Sequence, residues 1–173
     1  MKQLFHHKQS GAVLFVSLIM LLLMTIIGVT SMRSTVLEEK MAGNMIDRGL
    51  AFQAAETALR AGENYLKVTT LLPVFQEPTT SGSGLYQPTS DLPQRWDLVD
   101  WADATENVQL AANTLTRVAQ EPRYIIEELP AVNEAGGSLE VGVAGEVRYY
   151  RVTSRGVGGT DKAVVMLQTT YKR

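Results

Sequence analysis

The stretch Gly11-AVLFVSLIMLLLMTIIGVTS-Met32 decides how this chain is organised. No charged residue lies between Lys8 and Arg33. At ~1.5 Å rise per residue a helix over Ala12 to Met32 covers ~30 Å, the thickness of a bilayer's hydrocarbon. A membrane-spanning helix is therefore expected over 12–32. A secretory signal has a shorter apolar core and a small-residue cleavage site on its far side, whereas this run continues without a break into Met32-Arg-Ser-Thr-Val-Leu-Glu-Glu-Lys-Met41. The expected processing point lies before the span, at the end of a basic leader over 1–11 that carries Lys2, His6, His7 and Lys8. Beyond the span Arg33, Glu38, Glu39, Lys40, Asp47 and Arg48 cancel, so the positive-inside rule puts the leader in the cytoplasm and the remainder across the membrane, in a single pass.

Helical sequence does not stop at the membrane boundary. The first proline is Pro73, and the glycines at 28, 43, 49 and 62 each weaken a helix by only ~1 kcal/mol. Over 33–67 the stripe Leu37, Met41, Asn44 or Met45, Phe52, Ala55, Leu59, Gly62, Leu66 keeps a spacing of three and four, with Glu38, Glu39, Lys40, Asp47, Arg60, Glu63 and Lys67 on the other side. This half reads as amphipathic, and something beyond the helix must bury its stripe.

Composition shifts over 68–121. Four of the six prolines fall between Pro73 and Pro93, among Thr79, Thr80, Ser81, Gly82, Ser83 and Gly84, which predicts a surface loop without regular elements. Arg95 to Gln120 fits either a short helix or irregular packing around Trp96, Leu98 and Trp101. From 122 to 173 the pattern is β. Tyr124-Ile-Ile126, Ser138 to Val143, Glu146 to Thr153 and Lys162 to Tyr171 are β-branched or aromatic runs divided by glycines, with a hairpin turn expected at Gly156 to Gly159. The fold class that follows is α+β: a long N-terminal helix packed on a C-terminal antiparallel sheet of about four strands.

Several chemistries are excluded by composition. The chain has no cysteine, so disulfides, thiolate metal sites and a cysteine nucleophile are impossible, and both histidines lie in the leader, which removes any Ser-His-Asp set. His6 and His7 lack a third ligand and read as part of the basic leader. No enzyme activity, cofactor or metal is expected. The first 37 residues carry +3 and the rest −5, so bulk charge does not call for nucleic acid. Arg148 and Arg151 fall on opposite faces by period two, and Arg148, Arg151, Arg155, Lys162, Lys172 and Arg173 read as solvated edge charges. The acidic stretch of Asp91, Asp97, Asp100, Asp103 and Glu106 lacks the spacing of a Ca²⁺ loop. Trp96, Asp97, Asp100, Trp101 and Asp103 are instead candidate contacts to a partner protein.

A basic leader ending in glycine, a membrane-length helix entered at once, an amphipathic continuation and a C-terminal sheet resemble the type IV pilins and pseudopilins. The block Thr35-Val-Leu-Glu-Glu-Lys-Met-Ala-Gly-Asn44, Asp47 and Ala51-Phe-Gln-Ala-Ala-Glu-Thr-Ala-Leu-Arg60 is similar to the N-terminal region of the PilX minor pilins of Gram-negative type IV pili. Tyr150 to Gly156 and Val165 to Tyr171 are similar to the end of the same family, and about 71–120 carries no resemblance. The resemblance implies cleavage between Gly11 and Ala12 by the prepilin peptidase and N-methylation of Ala12. Where most pilins carry Glu, five residues into the mature chain, this sequence has Val16, which removes a buried charge pairing between stacked subunits and suggests a place without a neighbour above. The implied role is a non-catalytic minor pilin that helps initiate a type IV pilus and sits at or near its tip, in the context of twitching motility and adhesion. The implied partners are other minor pilins, the major pilin, a large adhesin-like tip protein, the prepilin peptidase and the inner-membrane assembly platform. A type II secretion pseudopilin and a membrane-anchored periplasmic binding domain are the alternatives.

Overall fold

The computed structural model describes residues 11–76, 83–88, 94–130 and 148–173. In chain order they form α1 (Ala12–Val68), β1 (Leu85–Tyr86), α2 (Arg95–Leu98), β2 (Val108–Gln109), β3 (Arg123–Glu128), β4 (Tyr149–Val157) and β5 (Val164–Lys172). Internal contacts divide the chain into two units, Met1–Asn44 and Met45–Arg173.

In the first unit α1 is long and apolar enough to cross a membrane. Its hydroxyls are already satisfied. Ser17 donates to the carbonyl of Leu14 at 2.9 Å, Thr25 to that of Leu22 at 2.7 Å, and Thr30 and Ser31 both to that of Ile27 at 2.9 Å. Side chains that bond back to the preceding turn leave no polar group seeking water, which is what a lipid environment requires. Every residue from Gly11 to Met45 is exposed.

In the second unit α1 buries a seam of small residues, Ala51, Ala54, Ala55, Ala58 and Gly62, ending in Leu66. The strand β4 lies against that seam so closely that a Cβ built at Gly156 would fall on the backbone of Ala51 and Ala55, and one at Gly62 would stand 2.6 Å from Val152 Cγ1. Only residues without bulk fit such an approach. Of the expected stripe, Ala55, Gly62 and Leu66 are buried, whereas Phe52 is 48% exposed. The helical period was right but the buried face is rotated toward the alanines, because backbone proximity and not side-chain size decides this contact.

The sheet is mixed, in the order β1-β3-β4-β5, with β2 also on β3. Strands β3, β4 and β5 pair antiparallel, from Tyr124↔Ser154 and Ile126↔Val152 to a nine-pair ladder between β4 and β5. Three of the expected strand runs are thus present, and the fourth, Ser138 to Val143, lies outside the described residues. Two corrections follow. Leu85 and Tyr86 pair parallel to Ile126 and Glu127, so the sheet is not purely antiparallel, and the Pro73–Pro93 stretch does hold a strand. The buried Leu85 and Tyr86 side chains pin it, while Ile126 N–H donates to Gly84 O at 2.7 Å and Gln76 N–H to Leu85 O at 2.9 Å. Gly156 stands inside β4, and the hairpin turn falls one step later, between Val157 and Val164.

Alternation along β3 gives the sheet two apolar faces. Tyr124 and Ile126 point to the α1 side, with Leu66, Phe75, Leu85, Tyr150 and Val152, where Phe75 stacks on Tyr150 at 5.7 Å. Ile125 points to the other side and meets Tyr86, Val99 and Trp101. Full burial of each such side chain stabilises by roughly 1.5–3 kcal/mol, so both layers matter. At the end of α1 the Arg173 guanidinium donates to the carbonyls of Thr69 at 2.8 Å and Thr70 at 3.0 Å. A cation there meets the negative end of the helix dipole and ties down the carbonyls of the two residues just past the last turn.

Candidate assembly surfaces

The residues expected to matter at the amino terminus sit together at one helix end. Gly11 precedes α1, Ala12 is its first residue, and Val16 is 54% exposed one turn on. A Cβ at Gly11 would meet nothing within 4 Å. The fold therefore does not itself demand glycine at this position.

Along Ala12 to Asn44 the exposed side chains include Val13, Leu14, Leu18, Leu21, Leu22, Ile26 and Val29. So much contiguous apolar surface is not left to water, and its natural surroundings are lipid or other helices.

A second constellation fastens the start of the folded unit. Asp47 on α1 accepts from the Thr160 N–H at 3.0 Å and from the Thr160 hydroxyl. These bonds, the hydroxyl first, then the backbone amides of Thr160 and Gly159, hold the carboxyl below its ordinary range against the opposing effect of burial. Gly158 is required beside it, since a Cβ there would collide with Asp47. The clamp ties the β4–β5 turn to the helix.

The tryptophan-rich segment caps the second face of the sheet. Arg95 lays its guanidinium over the Tyr86 ring at 3.7 Å, and Tyr86 donates its hydroxyl proton to Glu106 O at 2.6 Å. Buried Asn107 donates to the carbonyls of Asp100 at 3.2 Å and Asp103 at 2.6 Å. The acidic residues build this turn themselves: Asp103 accepts from the N–H and hydroxyl of Thr105, both at 2.8 Å, and Asp100 from the Ala102 N–H at 2.8 Å. The two Thr105 bonds, the backbone N–H first, hold the Asp103 carboxyl below the usual carboxylate range, with burial opposing. Of the five candidates, Trp101 packs inward, while Trp96, Asp97, Asp100 and Asp103 are exposed. Trp96 borders a cleft of about 290 Å³ with Gln94, Thr153, Met166, Leu167 and Gln168.

The register reorganises the basic residues of the C-terminal strands. Arg148 pairs with Glu128 at 3.3 Å and Arg151 with Glu127 at 3.2 Å. Arg155 instead lies directly opposite Arg123. Arg155 is therefore not a scattered edge charge, and its pairing with Arg123 has no signal in the sequence, because cross-strand register leaves no mark in a single chain's residues. Among the described residues no group of three or more His, Asp or Glu is placed to hold a metal ion.

Comparison with known families agrees with this architecture. The family described as type IV pilus assembly protein PilX C-term matches residues 54–173, and the PilX N-terminal family matches residues 10–60. Neither a curated protein sequence nor a solved structure gives a significant match.

Proposed function

Because the chain belongs to the PilX family of type IV pilus assembly proteins, we propose that it acts as a minor pilin, a non-catalytic structural subunit that helps initiate the filament and resides at or near its tip. The observation that carries this reading is α1 from Ala12 to Asn44, an unbroken helix whose every side chain is exposed. In the inner membrane, with the amino terminus cytoplasmic, lipid covers that surface. In the filament neighbouring helices cover it instead. Exchanging lipid for protein costs little hydrophobic free energy, so the subunit can enter and leave an assembly without a catalytic step of its own.

The leader ends at Gly11 and is removed by the prepilin peptidase, leaving Ala12 as the methylated terminus. Open space around Gly11 supports this, since a glycine that the fold does not need is free to serve a protease that must approach the backbone. Val16 supports the tip placement: the apolar side chain carries no charge that would need a partner from a subunit above. Partners are other minor pilins, the major pilin, an adhesin-like tip protein and the assembly platform, with the Trp96–Asp103 segment as one contact.

Amino-terminal sequencing of the membrane-extracted chain tests the anchor. A start at methylated Ala12 is expected, and a start at Met1 in cells that build normal fibres defeats the reading. Immunolabelling of sheared filaments tests the location, with label at the ends expected and even label along the shaft excluding the tip. Loss of surface pili on gene deletion, with protein secretion intact, separates this role from that of a secretion pseudopilin.

A further inference from the structure

The face of the sheet opposite α1 carries an unusual pair. Arg123 and Arg155 stand directly across from each other on β3 and β4, a placement that is destabilising for like charges. Their hydrogen bonds go to neutral acceptors only: Arg123 to Trp101 O and, at 3.4 Å, to Asn107 Oδ1, and Arg155 to Gln120 Oε1 at 3.4 Å. Among the described residues neither forms an ion pair. The Nε of Arg123 is buried without a partner. Burial first and Arg123 second lower the proton affinity of Arg155, and Asp161 opposes this without contacting it as an ion pair. Two facing guanidiniums whose only acceptors are neutral are short of a carboxylate on their solvent side.

The neighbouring geometry says what else the ligand must carry. Met166 on β5 faces Arg155, and Gln168 faces Thr153, so the Arg123–Arg155 row and the row beside it lie two residues apart, ~7 Å along the strand. The second row floors the cleft of Trp96, Met166 and Gln168, which at about 290 Å³ lies at the small end of ligand pockets and suits a single side chain. In an extended segment, residues i and i+2 point the same way. From Val164 to Tyr171 strand β5 has no charge to repel such a segment, and it is the last strand in the sheet order.

We propose that this face is a docking surface for an extended acidic segment of a partner protein, whose carboxylate is taken by Arg123 and Arg155 while an apolar side chain two residues away enters the Trp96–Met166 cleft. A single-stranded nucleic acid is the disfavoured occupant. Its affinity needs a run of phosphate contacts, whereas the face offers a single cationic pair. The surface lies on the folded unit and does not depend on the tip placement proposed above.

The test replaces Gln168 with the photo-crosslinker p-benzoylphenylalanine in the full chain, in cells that assemble their filaments, and maps the adduct by mass spectrometry. The expected product is a partner peptide with Asp or Glu two residues from a large apolar residue. Its yield should fall at least ten-fold in Arg155→Glu, persist in Arg155→Lys, and fall in Trp96→Ala. Since Arg155→Glu places a carboxylate opposite Arg123, that variant should melt no lower than the parent while losing its adduct, a combination that simple misfolding does not produce. No adduct, an adduct to nucleic acid or lipid, a peptide without a carboxylate, or a yield unchanged in Arg155→Glu overturns the proposal. Amino-terminal sequencing reports on the anchor separately, so the two readings fail independently.

Discussion

The two stretches of α1 use apolar residues in opposite ways. Ala12 to Asn44 carries the large side chains, Leu, Ile, Met and Phe, and exposes all of them, whereas Met45 to Val68 buries four alanines, a glycine and one leucine. In a soluble core, size and burial rise together. Here they part, because the first stretch takes its surroundings from outside the chain and the second meets a strand whose backbone comes within van der Waals reach of its own. Bulk in the first stretch makes a helix apolar enough to cross a membrane, and lack of bulk in the second serves close approach.

The sharpest way to break that contrast is to add bulk where the backbones meet. Gly156→Leu would drive a side chain into the backbone of Ala51 and Ala55, where neither neighbour can rotate away. A loss of about 3 kcal/mol or more is expected. Urea denaturation of the full chain in detergent, followed through tryptophan fluorescence, would read it, and a midpoint near the parent's would show that the contact is looser than described.

A pair of reciprocal substitutions sharpens the comparison. Ala58→Leu, in the fully buried seam, should cost about 1–3 kcal/mol in the same assay. Leu22→Ala, at a site 54% exposed, should shift it by less than about 0.5 kcal/mol while weakening retention in the membrane and entry into filaments. Equal effects on the denaturation midpoint would erase the distinction between the stretches.

Glycines divide along the same line, with a smaller effect. Gly49 has open space where a Cβ would go, so Gly49→Ala should stabilise the helix by about 0.5–1 kcal/mol, a change visible as a rise in melting temperature. The same replacement at Gly62 meets Val152 and should lower it.

The smallest expected effect is local and depends on pH. The folded Asp47 carboxyl titrates below its unfolded value, chiefly because the Thr160 hydroxyl donates to it, so its contribution is complete above about pH 4 and is lost as the pH falls through the lower folded value. Protection of the Gly159 and Thr160 amides from hydrogen exchange, taken relative to the intrinsic rate at each pH, should fall below that point and stay flat above it. In Asp47→Asn that protection should be low at every pH, and a parent-like pH profile in that variant would remove the clamp.

Much of this was legible in the residues. An uncharged run of bilayer length, no proline before 73, and β-branched runs near the end specify α1, β3, β4 and β5, since each signal is local and periodic. The two-residue strand Leu85–Tyr86 was not legible. It exists only because the chain passes beside Ile126, and the Pro-Gly-Ser composition around it argued for a loop. Gly11, Ala12 and Val16 could be picked out because they lie at a boundary of composition. Arg123 could not, because its meaning comes from Arg155, thirty-two positions away and opposite only in the paired sheet.

The sequence alone determined that there is an apolar helix without charge from Ala12 to Met32, that cysteine and histidine chemistry is closed to the body of the chain, and that a β region ends it. Tertiary structure alone decided which face of α1 is buried, that glycine and alanine rather than phenylalanine fill the seam, that the sheet is mixed, and which arginines are left facing each other. The physical reason is range: helical period and hydropathy act between near neighbours, whereas register, backbone approach and charge pairing exist only after distant segments have met.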